Sequence, residues 1–202
     1  MYTPISTRDL AFLDTETTGL SANHNEVIEV AIIRCDPNTL AIKSEWCSKI
    51  KPQRIETAHP KALAVNGYTK EAWADAPFFE DVAEEIGDRL ADAMIVGHNV
   101  GFDLDFLNAG IERAGLKIRL PYHKIDTVTL AYEHLVPKGL KKLSLDTIRG
   151  FLKLSTDGAH TALVDVQQTR LVYMHMICPH LIPEEVEDEA QISILDLLAG
   201  VQ

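Results

Sequence analysis

Apolar positions along this chain fall into two rhythms, strands early and helices later. Leu10-Ala-Phe-Leu13 is continuous and apolar, which predicts a strand buried on both faces, and Gly19 marks a turn just beyond it. Asn23 and Asn25 mark another turn, and Glu26 to Arg34 is rich in β-branched residues, predicting a second strand. Asp36 to Thr39 reads as a turn and Leu40 to Ile50 as a third strand, so short loops join three strands into an antiparallel meander that ends at Lys51-Pro52. Residues 53–77 show little periodicity beyond a short helix near His59 to Val65, which predicts a connecting surface segment. After Pro77 a helix is predicted from Val82, Ile86, Leu90 and Ala93, which recur near the helical period. Met94 to Gly97 predicts a short buried strand, and Asn99 then caps a helix with Asp103, Leu107 and Ile111 on one stripe. Lys124 to Val128 reads as a strand running into a helix, with Asp126 as a cap. Ser144 to Leu154 predicts a helix with Leu145, Ile148 and Leu152 inward, and Thr161 caps a last helix to about Ile177.

Composition narrows the picture. A chain of 202 residues with 46% hydrophobic content can bury one substantial core, whereas two full domains would be cramped. We therefore expect one domain over residues 1–180 and an acidic tail over 181–202. The first residues lack an apolar signal core, and no window approaches a membrane span. Three widely spaced cysteines (Cys35, Cys47, Cys178) fit reduced thiols better than a disulfide frame or a zinc cluster, so a cytoplasmic protein is expected. A net charge of −11 argues against a general nucleic-acid coat protein but leaves room for an enzyme that grips a short nucleic-acid end through bound cations. Lys138, Lys141 and Lys142 form the one compact basic cluster. Such a cluster is ordinarily a solvated loop, and here it is also the one candidate for contact with phosphates.

The chemistry is carried by acids at strand ends and helix starts. Asp14 and Glu16 stand two residues apart at the end of the first strand, so they leave one face together. Paired carboxylates beside a buried strand stay ionised cheaply when a cation sits between them. Oxygen donors with no nearby cysteine favour Mg²⁺ or Mn²⁺ over zinc. An acidic strand end facing water is the plain alternative. Asp103 lies on the buried stripe of its helix and needs a partner, whereas Asp105 is expected to be solvated. His160 and Asp165 are five residues apart, about 140° on one continuous helix, so they can share a site only if His160 precedes the helix.

Together, Asp14-x-Glu16, His98-Asn99-x-x-Phe102-Asp103 and His160-x-x-x-x-Asp165 strongly resemble the three motifs of the DnaQ-like (DEDDh) family of 3′→5′ exonucleases, in order, over roughly residues 8–177. A sister subgroup carries tyrosine four residues before the last acid; here that position is Thr161, so the histidine form is favoured. The resemblance implies an α/β protein with a ribonuclease H-like mixed five-stranded sheet, an antiparallel meander plus two parallel strands, flanked by helices. It implies two divalent cations, Mg²⁺ or Mn²⁺, roughly 4 Å apart, which can activate a water and hold the leaving 3′ oxygen. By resemblance Asp14 bridges both ions, Glu16 and Asp165 complete one site, and Asp103 acts on the other. His160 takes the proton from the attacking water. Thr17 and Leu20 are expected to contact the terminal nucleotide, and His98, Asn99 and Phe102 to line its pocket. The expected product is nucleoside 5′-monophosphate from a nucleic-acid 3′ end, with single-stranded or frayed DNA ahead of RNA.

Two other classes fit the sequence less well. Haloacid-dehalogenase phosphatases use Asp-x-Asp-x-Thr, but the second acid here is Glu and no late Gly-Asp pair follows. A non-catalytic scaffold would have lost an acid or the histidine, and neither is lost. Gln191 to Leu195 in the tail resembles the peptides by which bacterial replication proteins dock on a sliding clamp, so a clamp or polymerase is a candidate partner, against a short amphipathic helix folded on its own domain.

Overall fold

The computed structural model describes residues 4–155 and 161–182. His160 and the tail from 183 onward, including Gln191 to Leu195, lie outside the described residues. A single five-stranded sheet organises the rest. Strand β1 (Leu10–Thr17) is central and almost wholly buried, and it runs on from the apolar residues 10–13 through Asp14 and Glu16 at its carboxyl end. Its antiparallel neighbour β2 (Val27–Cys35) pairs in turn with the half-exposed β3 (Ile42–Lys49), which completes the expected meander. The third strand begins two residues later than predicted because Leu40 adopts a left-handed φ of 58° and closes the turn. On the other side of β1, the short strands β4 (Met94–Gly97) and β5 (Lys124–Asp126) add in parallel, giving the order β3-β2-β1-β4-β5.

Helices cover both faces, and the alternation along β1 decides which residues meet them. Leu13 and Ala11 join Ile86 and Leu90 of α2 (Phe79–Leu90) and Leu104, Phe106 and Leu107 of α3 (Val100–Arg113) in one core. Leu10 and Phe12 point the other way, against Ala162, Val166, Tyr173 and Met174 of the long carboxy-terminal helix Ala162–Ile177. Between lie α1 (Pro60–Val65), α4 (Thr127–His134) and α5 (Leu145–Phe151), so the carboxy-terminal helix is α6. A third cluster joins Ala131 and Leu135 to Ile148, Val172 and Met176, packing α4 and α5 on α6. Ala93 is buried as its spacing predicts, but it lies past the end of α2, which stops at Leu90 before Asp92 turns left-handed. Helix α5 stops at Phe151, three residues short of the predicted end, and Lys153 at φ 59° makes the exit. No helix among the described residues is long and apolar enough to cross a membrane.

The segment 53–77 is more than a connector. Trp73 is buried and donates its indole N–H to the Ile28 carbonyl at 2.7 Å, while Asn66 Nδ2 donates to the Thr17 carbonyl at 3.0 Å and the His59 N–H to the Thr18 carbonyl at 2.7 Å. These bonds tie the segment to the carboxyl end of β1 and the start of β2.

Candidate active site

The carboxyl end of β1 delivers two acids to one face, as the two-residue period requires. The first turn of α6 delivers a third. One carboxylate oxygen each from Asp14, Glu16 and Asp165 lies within 4.8 Å of the other two. Thr161 sets the start of α6 by accepting a hydrogen bond from the Val164 N–H, and this places Asp165 in the first turn. Asp103 is not one of those three mutually close carboxylates. It is buried and accepts a 2.7 Å hydrogen bond from Thr15 Oγ1, whose side chain leaves β1 on the face opposite Asp14 and Glu16. It nevertheless acts on the trio, heading the charged groups that raise the Asp14 pKa.

Electrostatics here run against ionisation. Burial, then Asp103, Asp165, Glu16 and Glu29, hold the Asp14 carboxyl well above the usual carboxylate range. Burial, then Asp165 and Glu29, pushes Glu16 to about 7, with a hydrogen bond from Asn66 opposing. Burial also raises Asp103 to about 7 despite the Thr15 hydrogen bond. Close carboxylates that resist ionising together, offering only oxygen donors, suit a hard divalent cation, which would supply the missing positive charge. Asp14, Glu16 and Asp165 could hold it.

Glu29 was missed in the sequence. It lies on β2 directly across from Glu16 and is buried, with its Oε1 3.4 Å from Cys47 Sγ. Its signal was a lone acid inside the apolar run Val-Ile-Glu-Val-Ala-Ile-Ile. The Cys47 thiol is pushed to about 12 by burial and by Glu29.

The remaining expected contacts surround this end of the sheet. Thr17 is buried and donates to the Gly19 carbonyl at 2.7 Å, shaping the turn that leaves Leu20 88% exposed. A side chain at position 19 would collide with the Asn25 amide at 2.4 Å, so the turn requires glycine for close approach. His98 follows Gly97 at the end of β4. Its Nδ1 is 2.9 Å from Thr127 Oγ1, and burial lowers its pKa. Asn99 occupies the cap position of α3, but in a left-handed conformation and without a side-chain cap; its N–H donates instead to Asp126 Oδ1 at 3.0 Å. Asp126 also accepts from the Val128 N–H, the capping role expected of it. Phe102 is half-buried and packs its ring 4.7 Å from Phe106. Asp105 is exposed, as are Lys138, Lys141 and Lys142.

A mixed sheet flanked by helices, with carboxylates gathered where its central strand ends, places the chain in the ribonuclease H-like fold class. The exonuclease family model matches residues 11–173. The chain is 33% identical over 166 residues to the PolC-type DNA polymerase III of Thermotoga maritima, covering 82% of this chain but 12% of that protein. It is 30% identical over 185 residues to ribonuclease T of Shewanella denitrificans, covering 82% of this chain and 78% of the relative. Among solved structures, a zinc-bound complex of E. coli exonuclease I with single-stranded DNA superposes with a TM-score of 0.74 at 22% identity, over 86% of this chain and 42% of that one. The chain belongs to the DnaQ-like DEDDh family of 3′→5′ exonucleases.

Proposed function

We propose that this chain removes nucleoside 5′-monophosphates one at a time from the 3′ end of single-stranded or frayed DNA. The observation that carries this reading is the trio of Asp14, Glu16 and Asp165, three oxygen ligands within 4.8 Å of one another. Asp14, Glu16 and Asp165 would hold one ion, and Asp103, held by the Thr15 hydrogen bond, would act on the other. A pair of Mg²⁺ or Mn²⁺ ions, when bound, supplies the positive charge that phosphodiester hydrolysis needs around the phosphate. His160, five residues before Asp165 in the chain, would take the proton from the attacking water. Leu20, standing out of the turn after β1, offers an apolar surface to the terminal base, and Thr17, His98, Asn99 and Phe102 would frame the terminal nucleotide.

The DNA preference is supported by the PolC-type relative and by the exonuclease I complex with single-stranded DNA. Ribonuclease T, similar over most of its own length, supports the second reading, a 3′→5′ exoribonuclease. Digestion of matched, end-labelled DNA and RNA, single-stranded and duplex, separates the two: single-stranded DNA is expected to be shortened fastest, and faster trimming of the matched RNA would overturn the DNA assignment.

A further inference from the structure

Helix α5 and its C-cap present Leu145, Ile148, Arg149 and Leu152 at the i, i+3, i+4 and i+7 spacing of an inward stripe, with a guanidinium where an aliphatic chain would ordinarily sit. Arg149 has no exposed surface and is the largest fully buried side chain described. A guanidinium cannot shed its charge, and leaving one unpaired in the interior costs several kcal/mol, on the order of a whole domain's stability margin. Its placement must therefore be compensated by specific partners.

Those partners converge on the site. Nε and Nη2 both donate to the Ser155 carbonyl, at 3.0 and 2.8 Å. Nη1 faces two carboxylates, Asp146 Oδ1 at 3.4 Å and Asp165 Oδ1 at 3.6 Å. The Asp146 side chain is 61% exposed, so water screens that pair, whereas that of Asp165 is only 15% exposed. The effective charge partner is thus the carboxylate that completes the trio with Asp14 and Glu16. At 3.6 Å the contact is long for a directed hydrogen bond and acts chiefly through charge.

We propose that Arg149 is a positioning residue for the candidate metal centre, its buried charge holding the Asp165 carboxylate in place beside Asp14 and Glu16. The need is plain from the surroundings, because Asp165 shares its site with carboxylates that repel it. The backbone of Asp165 is fixed by its helical bond to the Thr161 carbonyl, but its side chain must be turned toward the other acids and kept there. A cation outside the trio does this while taking no ligand position, in the manner of the outer partners that orient metal ligands elsewhere. The two hydrogen bonds donated to the Ser155 carbonyl fix the fork itself, so the charge is held in place.

The inference rests on the metal-site reading above, and its test separates the two. Mn²⁺ binding is measured by titration calorimetry without substrate, alongside kcat and KM on a short oligonucleotide. Arg149→Gln keeps a donor for Ser155 but drops the charge, and Arg149→Lys keeps the charge. We expect Arg149→Gln to lose roughly 10–100-fold in Mn²⁺ affinity and in kcat, with KM changed less than about threefold, and Arg149→Lys to bind Mn²⁺ within about threefold of wild type. A folded Arg149→Gln that binds Mn²⁺ and turns over like wild type overturns the proposal, as does a folded Arg149→Lys that loses Mn²⁺ affinity tenfold or failure of both variants to fold. Should only the glutamine variant fail to fold, the lysine variant decides by the same criterion. Wild-type protein that binds no Mn²⁺ would instead sink the metal-site reading itself.

Discussion

At Asp14 burial and neighbouring carboxylates act in one direction, so each negative charge in the site makes the next harder to hold. The same logic sets what a base must do there. A histidine accepts a proton only when neutral, so turnover is expected to rise with pH through about 6–7, the range in which an ordinary histidine loses its proton. His160→Ala should flatten that rise and lower the rate roughly 10²–10⁴-fold while Mn²⁺ binding persists. Loss of Mn²⁺ binding in that variant would assign His160 a different task. The motif acids were legible because their spacing alone suggests shared faces. Arg149, Glu29 and Asn66 were not, because each acts across elements that the sequence does not show to be adjacent. A charged residue on an apolar stripe or in an apolar strand was the available signal for the first two, and Asn66 offered none.

At the scale of the element, β1 gathers like charges that favour the protonated, metal-free fold. Glu16 and Asp103 are raised to about 7 from ordinary values of 4.5 and 3.8. A group whose folded pKa lies above its unfolded one contributes stability that is fully present below the unfolded value and is lost as pH rises through the folded value. The metal-free protein should therefore lose this contribution between about pH 4 and 7. Melting curves in a chelator are expected to show a smaller fall in Tm across that window for Glu16→Gln than for wild type, and added Mg²⁺ or Mn²⁺ should raise the wild-type Tm more at pH 8 than at pH 5. An identical slope in the variant would remove Glu16 from the account. The strands and helices themselves were legible from their periods, with ends displaced where Leu40, Asp92 and Lys153 turn left-handed. Segment 53–77 reads as a plain connector in sequence because hydrogen bonds from Trp73, Asn66 and His59 to strand and turn carbonyls leave no periodic trace.

Over the whole molecule, a net charge of −11 works against any long nucleic-acid track, so affinity must come from the site or from a tether. The tail from Gln191 to Leu195 is our candidate tether to a sliding clamp or polymerase, since a second attachment raises the effective concentration at the primer end. A chain cut after residue 189 should keep full activity on short oligonucleotides while losing clamp binding; a truncated chain that unfolds would make the tail part of the core.

The central claim is that the acids at the end of β1 hold cations that remove nucleotides from a 3′ end, and one measurement addresses it most directly. A 5′-labelled single-stranded oligonucleotide is incubated with wild type or Asp14→Asn, in Mg²⁺, in Mn²⁺ or in chelator, and the products are resolved nucleotide by nucleotide over time. The account predicts a ladder shortening stepwise from the 3′ end in wild type with either cation, and intact substrate in chelator and in a folded Asp14→Asn. Shortening that persists in chelator or in Asp14→Asn, or internal cuts in place of a ladder, would contradict it.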